Sequence, residues 1–166
     1  MAVIFLQTDR LVLRNVKAED AAVMYDYRND QRCARYQRGQ IKDLPGIEKL
    51  VADHEADALG VAANCLVAVA DKESDDLLGE IIVMPNEDCF SLGYTFHYAH
   101  HRRGYAFEAV SALIEMLHGN YPDWEFISFT DPDNVASKNL LIKLGYKDMG
   151  YIEKLDSQMF GKWVKE

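Results

Sequence analysis

The chain has 166 residues, of which 49% are hydrophobic and 27% charged, proportions that suit one folded domain spanning 1–166 with a full hydrophobic core. Its net charge of -9 repels nucleic-acid phosphates and anionic lipid, which argues against nucleic acid and membranes as partners and leaves small anions only a local basic pocket. Cys33, Cys65 and Cys89 are odd in number, widely spaced and form no CxxC pair, a usage that fits free thiols in a reducing, cytoplasmic setting.

The N-terminal residues 1–6 are apolar but short and lack a basic flank, so no signal peptide is expected. A strand is expected over 10–16, where Leu11 and Leu13 alternate inward. Glu19 and Asp20 then open a helix that runs to about Asn29. Residues 31–46 read as irregular and end in the breaker Pro45-Gly46; a second helix follows from Ile47 to about Leu59. Strands at 65–70, 77–84 and 90–97 are separated by the polar turns 71–76 and 85–88 and form an antiparallel meander. The order then changes: a helix over 105–117 and a strand over 124–130 imply a crossover and a parallel pair. A loop, 131–134, precedes a helix from about Val135 to Leu144 that stops at Gly145, a residue suited to the position after a helix. The last strands are expected at 146–155 and about 159–165.

The most informative stretch is His100-His101-Arg102-Arg103-Gly104-Tyr105-Ala106, a basic, glycine-marked turn between a strand and a helix. The first N–H groups of a helix lack internal partners and the helix dipole favours negative charge there, so a phosphate can sit on such a turn. Three further segments join it: Thr8-Asp9-Arg10-Leu11-Val12-Leu13-Arg14 with Glu19-Asp20; Tyr25-Asp26-Tyr27-Arg28-Asn29-Asp30; and Asn134-Val135-Ala136-Ser137 with Lys143-Leu144-Gly145-Tyr146. With Leu92-Gly93-Tyr94 before the turn, this ordered set resembles the GNAT family of N-acetyltransferases, and within it the RimJ/RimL-like (ribosomal-protein-alanine acetyltransferase-like) branch.

The resemblance implies an α/β (α+β) fold with a mixed, mostly antiparallel sheet of about six or seven strands and helices on both faces. It implies acetyl-CoA as cosubstrate, with the pyrophosphate on His101, Arg102, Arg103, Gly104, Tyr105 and Ala106. Where the family pattern carries Gln or Arg followed by Gly, this chain has His101 and Arg102. The pantetheine arm is expected to pair like an added strand with Phe96, His97 and Tyr98, and Asn134 matches the family asparagine that contacts that arm, although asparagine also caps helices well.

Acetyl transfer to an amine needs a neutral amine, a polarised thioester carbonyl and a leaving thiolate that is protonated. Glu80, on the central strand among apolar neighbours, is the first candidate base, with a solvated edge position or a structural ion pair as the competing reading and His97 as a weaker candidate. The tyrosine that many family members use as the acid falls at Leu141 here, which leaves Ser137 as candidate donor against a helix-turn role, or catalysis by proximity alone. Arg28 and Tyr94 are candidates for the acceptor side. His97, His100 and His101 cluster without a carboxylate or cysteine at ligand spacing, so no metal site is expected. The implied function is acetyl transfer from acetyl-CoA to a primary amine, on a protein N-terminus or a small molecule. A non-catalytic acyl-CoA-binding module on the same fold stays open, as does a homodimer formed through a last strand at 159–164.

Overall fold

The computed structural model describes residues 2–166. The strands are β1 (Ile4–Gln7), β2 (Leu11–Asn15), β3 (Cys65–Asp71), β4 (Leu77–Asn86), β5 (Cys89–Phe96), β6 (Glu125–Thr130), β7 (Lys147–Ile152) and β8 (Ser157–Lys162). The helices are α1 (Ala21–Arg28), α2 (Gln31–Ala34), α3 (Leu44–His54), α4 (Tyr105–Asn120) and α5 (Val135–Lys143). One sheet runs in the order β1-β2-β3-β4-β5-β6-β8-β7. Neighbours are antiparallel except β5 and β6, which are parallel as the long crossover through α4 requires.

The sheet thus has eight strands rather than the expected six or seven. The addition is β1, a four-residue edge strand too short to show alternation, held by its hairpin with β2. Pro45-Gly46 does not break the chain but starts α3: Asp43 caps it by accepting the Gly46 N–H at 2.7 Å, and Pro45 sits in the first turn, where a missing N–H is harmless. The segment read as irregular also contains α2, capped by Asp30, whose Oδ1 accepts the Arg32 N–H at 2.9 Å. β8 lies between β6 and β7 with both sides paired, so it offers no edge to a second subunit; the edge strands are β1 and β7.

Two apolar clusters flank the sheet. Leu11, Leu13, Val67, Val69, Ile81, Val83 and Phe90 pack with Val110, Leu113, Ile114 and Leu117 of α4 on one face. Leu66, Ala68 and Leu77 pack with Met24 and Tyr27 of α1 and Ile47 and Val51 of α3 on the other. The alternation of β3 explains its unbroken apolar run, since successive side chains feed opposite cores. Arg14, buried at the end of β2, donates to both carboxylate oxygens of Asp20 at 2.8 and 3.1 Å and so ties β2 to the start of α1. Among the described residues no helix is long and apolar enough to cross a membrane.

Candidate active site

The parallel partners β5 and β6 pair only at Cys89↔Glu125, Phe90↔Phe126 and Ser91↔Ile127. Beyond them β5 continues to Phe96 and β6 to Thr130 without backbone pairing, which leaves a wedge open at the carboxyl ends of both strands. The His97 N–H bonds Leu78 O at 2.8 Å toward β4, so backbone alternation turns the groups of Leu92, Tyr94 and Phe96 into the wedge. Leu92 O there accepts Ser128 Oγ at 3.2 Å. Phe96 O accepts Cys33 Sγ at 3.1 Å and lies 2.7 Å from His101 Nε2. Burial pushes the Cys33 thiol up to about 11, so it stays a protonated donor. Tyr94, between these two bridged carbonyls, keeps its N–H and C=O for a ligand.

The turn at the mouth of the wedge has two left-handed residues, Arg102 (φ 64) and Gly104 (φ 78). For arginine that conformation costs about 1–2 kcal/mol; the chain adopts the glycine-like path without the glycine. Arg10 pins the turn from behind. Its Nη1 donates to Arg103 O at 3.0 Å and its Nε to Glu108 Oε1 at 2.7 Å, and its guanidinium lies 4.3 Å over the Tyr105 ring. Glu108 Oε2 also accepts Thr8 Oγ1 at 2.5 Å. Partial burial works against the Glu108 charge, but the bonds from Thr8 and Arg10 outweigh it and hold its carboxyl below the usual range. Ahead of this anchored turn, the first N–H groups of α4 and the exposed Arg102 and Arg103 side chains form a cradle suited to a diphosphate.

At the middle of the wedge, Asn134 Oδ1 accepts the Ser137 N–H at 3.1 Å and caps α5. This positions Ser137 Oγ 3.0 Å from the Tyr94 hydroxyl. Burial raises the Tyr94 phenol above its ordinary value, with the Ser137 bond working the other way. A cavity of about 320 Å³ opens here, lined by Tyr94, Asn134, Ser137 and the buried Leu141. A second cavity, about 150 Å³, lies toward α1 and is lined by Arg28, Gln40, Glu80, Tyr94 and Thr95. A loop strap containing Gln37 and Arg38 lines both. Arg38 crosses to the β7–β8 turn, donating to Leu155 O at 2.8 Å and Asp156 O at 2.6 Å.

Glu80 faces α1, buried to 3% exposure. Its Oε1 accepts Tyr27 Oη at 2.8 Å and Arg28 Nε at 2.7 Å, and its Oε2 accepts Arg28 Nη2 at 2.5 Å. Burial opposes the Arg28 charge, yet the bonds to Glu80 carry its pKa above the ordinary value; burial and then the Glu80 charge hold the Tyr27 phenol well up. Both oxygens of the candidate base are therefore committed to an ion pair that also walls the smaller cavity. His97 Nδ1 accepts the Ala99 N–H at 3.0 Å while its Nε2 faces Asp26 at 3.4 Å, so both ring nitrogens are engaged. The Tyr98 hydroxyl donates to Asp26 at 2.8 Å. Among the described residues no group of three or more His, Cys, Asp or Glu is disposed to hold a metal ion. A larger depression, about 1400 Å³, lies elsewhere, beside β1, β2 and the end of α3.

Residues 10–147 match the family model described as the acetyltransferase (GNAT) domain. The chain belongs to the GNAT family. It is 24% identical to the uncharacterized N-acetyltransferase YnaD of Bacillus subtilis (strain 168), over 90% of this chain and 86% of that one. It is 25% identical to the uncharacterized N-acetyltransferase p20 of Bacillus licheniformis, over 89% and 84%. Among solved structures, a GNAT-family acetyltransferase from Bacillus anthracis superposes with a TM-score of 0.79 at 19% identity, covering 97% of this chain and 96% of its own. RimL, a ribosomal L7/L12 alpha-N-protein acetyltransferase solved with coenzyme A, gives 0.79 at 12% identity, with 96% and 97% covered. At such identities the structures share the fold. As a GNAT member the protein is an acetyltransferase with acetyl-CoA as its cosubstrate.

The wedge, turn and α5 cap bring the backbone of Phe96, the residues His101 to Ala106, Asn134, Ser137 and Tyr94 around one cleft. The side chains of His97 and Tyr98 turn instead to Asp26. Sequence reasoning gave no role to Arg10, Thr8 and Glu108, and it missed Gln40 and Arg38 of the strap. No periodicity marks either strap residue, and both lie in the segment 31–46 that reads as irregular.

Proposed function

We propose that the protein transfers the acetyl group of acetyl-CoA to a primary amine, on a protein N-terminus or a small molecule, within the wedge between β5 and β6. The observation that carries this reading is the wedge itself: free backbone groups at Tyr94, a helix-start cradle at one end and two hydroxyls at its middle. Bound there, acetyl-CoA supplies an activated thioester carbonyl. The first-turn N–H groups of α4, with Arg102 and Arg103, hold the diphosphate. The backbone of Tyr94 and Phe96 aligns the pantetheine arm as an added strand. The Tyr94 N–H, facing the wedge, is placed to polarise the carbonyl oxygen. Ser137 Oγ donates to the departing sulfur. The smaller cavity admits the amine between Tyr94 and the Arg28–Glu80 wall, which holds it beside the thioester.

Calorimetry with acetyl-CoA tests the placement. Gly104→Val puts a branched side chain at φ 78, and Ala106→Phe crowds the same cradle; each should weaken acetyl-CoA binding at least tenfold. Affinity unchanged in both variants refutes the diphosphate site. One observation favours a second reading, a non-catalytic acyl-CoA-binding module: Glu80, the carboxylate that lines the acceptor cavity, is held in an ion pair with Arg28. Release of coenzyme A in the presence of a panel of amines separates the two, since binding without turnover on any acceptor supports the module.

A further inference from the structure

The pairing of two hydroxyls at the middle of the wedge is specific in direction. Tyr94 Oη and Ser137 Oγ are 3.0 Å apart, and either could donate by distance alone. A phenol is the stronger donor and the weaker acceptor of the two, so the favoured arrangement sends the tyrosine proton to the serine oxygen. Ser137 Oγ has no other hydrogen-bond partner among the described residues, and its N–H is already bound to Asn134. With Tyr94 donating, the serine proton is turned away from the phenol, into the cavity of about 320 Å³ that both residues line.

We propose that Tyr94 is a positioning residue that fixes the hydroxyl rotor of Ser137, so that the serine O–H points to the sulfur of the departing coenzyme A. This rests on the assignment of Ser137 as donor made above. In the transfer, nitrogen forms the C–N bond, and the C–S bond breaks with its electron pair kept on sulfur. The proton shed by nitrogen goes to solvent, and the thiolate is stabilised by the bond from Ser137, itself strengthened by the bond from Tyr94. Tyr94 sits between the thiol side and the acceptor side, since it also lines the smaller cavity. Burial keeps its phenol protonated through the neutral range, so the donor is present wherever the enzyme works.

The test combines two readouts on Tyr94→Phe, Ser137→Ala and the double variant. The first is the initial rate of coenzyme A release with the fastest acceptor found among amino-acid amides, short peptides, amino sugars and polyamines. Tyr94→Phe should lower kcat about tenfold with KM for acetyl-CoA within about twofold, and the double variant should match Ser137→Ala alone. The second needs no acceptor: the ultraviolet thiolate absorbance of bound coenzyme A, followed against pH. Ser137→Ala should raise the bound thiol pKa by about one unit, the scale of one hydrogen bond to a charged atom, and Tyr94→Phe should raise it in the same direction only while Ser137 is present. A further loss from Tyr94→Phe in the Ser137→Ala background overturns the positioning role, as does no loss in the wild-type background. If Ser137→Ala itself changes neither readout, the donor assignment falls and this proposal with it; an effect of Ser137→Ala without one of Tyr94→Phe removes the proposal alone.

Discussion

Replacing Arg28 by Met should unfold the protein far more readily than its half-surface position suggests. The Arg28 side chain is 19% exposed, but the Glu80 side chain it serves is only 4% exposed. Removing the guanidinium leaves a buried carboxylate with a single donor, Tyr27 Oη. An unpaired buried charge of this kind costs about 3–5 kcal/mol, which at roughly 2–4 °C per kcal/mol for a chain of this length lowers Tm by about 6–20 °C. Glu80→Leu strands the guanidinium instead, which can turn to water, so its cost should be smaller, about 1.5–3 kcal/mol. The double variant Arg28→Met/Glu80→Leu removes both charges and leaves only the Tyr27 hydroxyl without its acceptor, a loss of about 1–3 kcal/mol. Urea unfolding of the four proteins closes the cycle and should give a coupling of at least about 1.5 kcal/mol. A coupling below about 0.5 kcal/mol would refute the argument that these two residues stabilise the fold as a pair.

Glu108 gives a pH signature. Its carboxyl is held below the ordinary value in the folded state, so its contribution is complete above the ordinary carboxylate pKa of about 4.3 and is lost as pH falls through the folded value. The wild-type Tm should therefore drop more steeply between about pH 5 and pH 3 than that of Glu108→Gln, with the curves converging at the acid end; parallel curves would exclude the anchor as a source of stability. Arg38→Ala should change global stability by less than about 1 kcal/mol, because a half-exposed guanidinium contributes little to the folded state. Trypsin should nonetheless cut at Arg35 or Lys42 several times faster, since the strap loses its bonds to Leu155 O and Asp156 O; equal rates would show that other contacts hold it.

The elements legible in the sequence were those whose pattern is local. β3 announced itself by an apolar run that feeds two cores, and α4 by the glycine-marked turn before it. α3 was misplaced by three residues at its start because Pro45-Gly46 breaks a helix in its interior but suits its first turn. β1 carried no readable period in four residues. The site divides along the same line. The turn is contiguous, and its residues alone point to a phosphate site. The contacts that shape the chemistry join residues far apart in the chain: Arg28 with Glu80, 52 positions on, and Tyr94 with Ser137, 43 positions on. Side-chain orientation across such distances is set by topology. The alternation of β4 alone could not say that Glu80 turns toward α1 and finds Arg28 there.

The three residue pairs that join β5 to β6 make a narrow seam between a five-stranded half of the sheet and a three-stranded half. A ligand lying along the open part of that seam would bridge the two halves and act as a structural member of the sheet as well as a reactant. Thermodynamic linkage then gives the protein a stability that tracks its donor supply. A ligand bound only by the folded chain adds about 2.7 kcal/mol when present at a hundred times its Kd, or about 5–11 °C in Tm at this chain length. Depletion of the acetyl donor would withdraw that support, so the same shortage that idles the enzyme would also shorten its thermal lifetime.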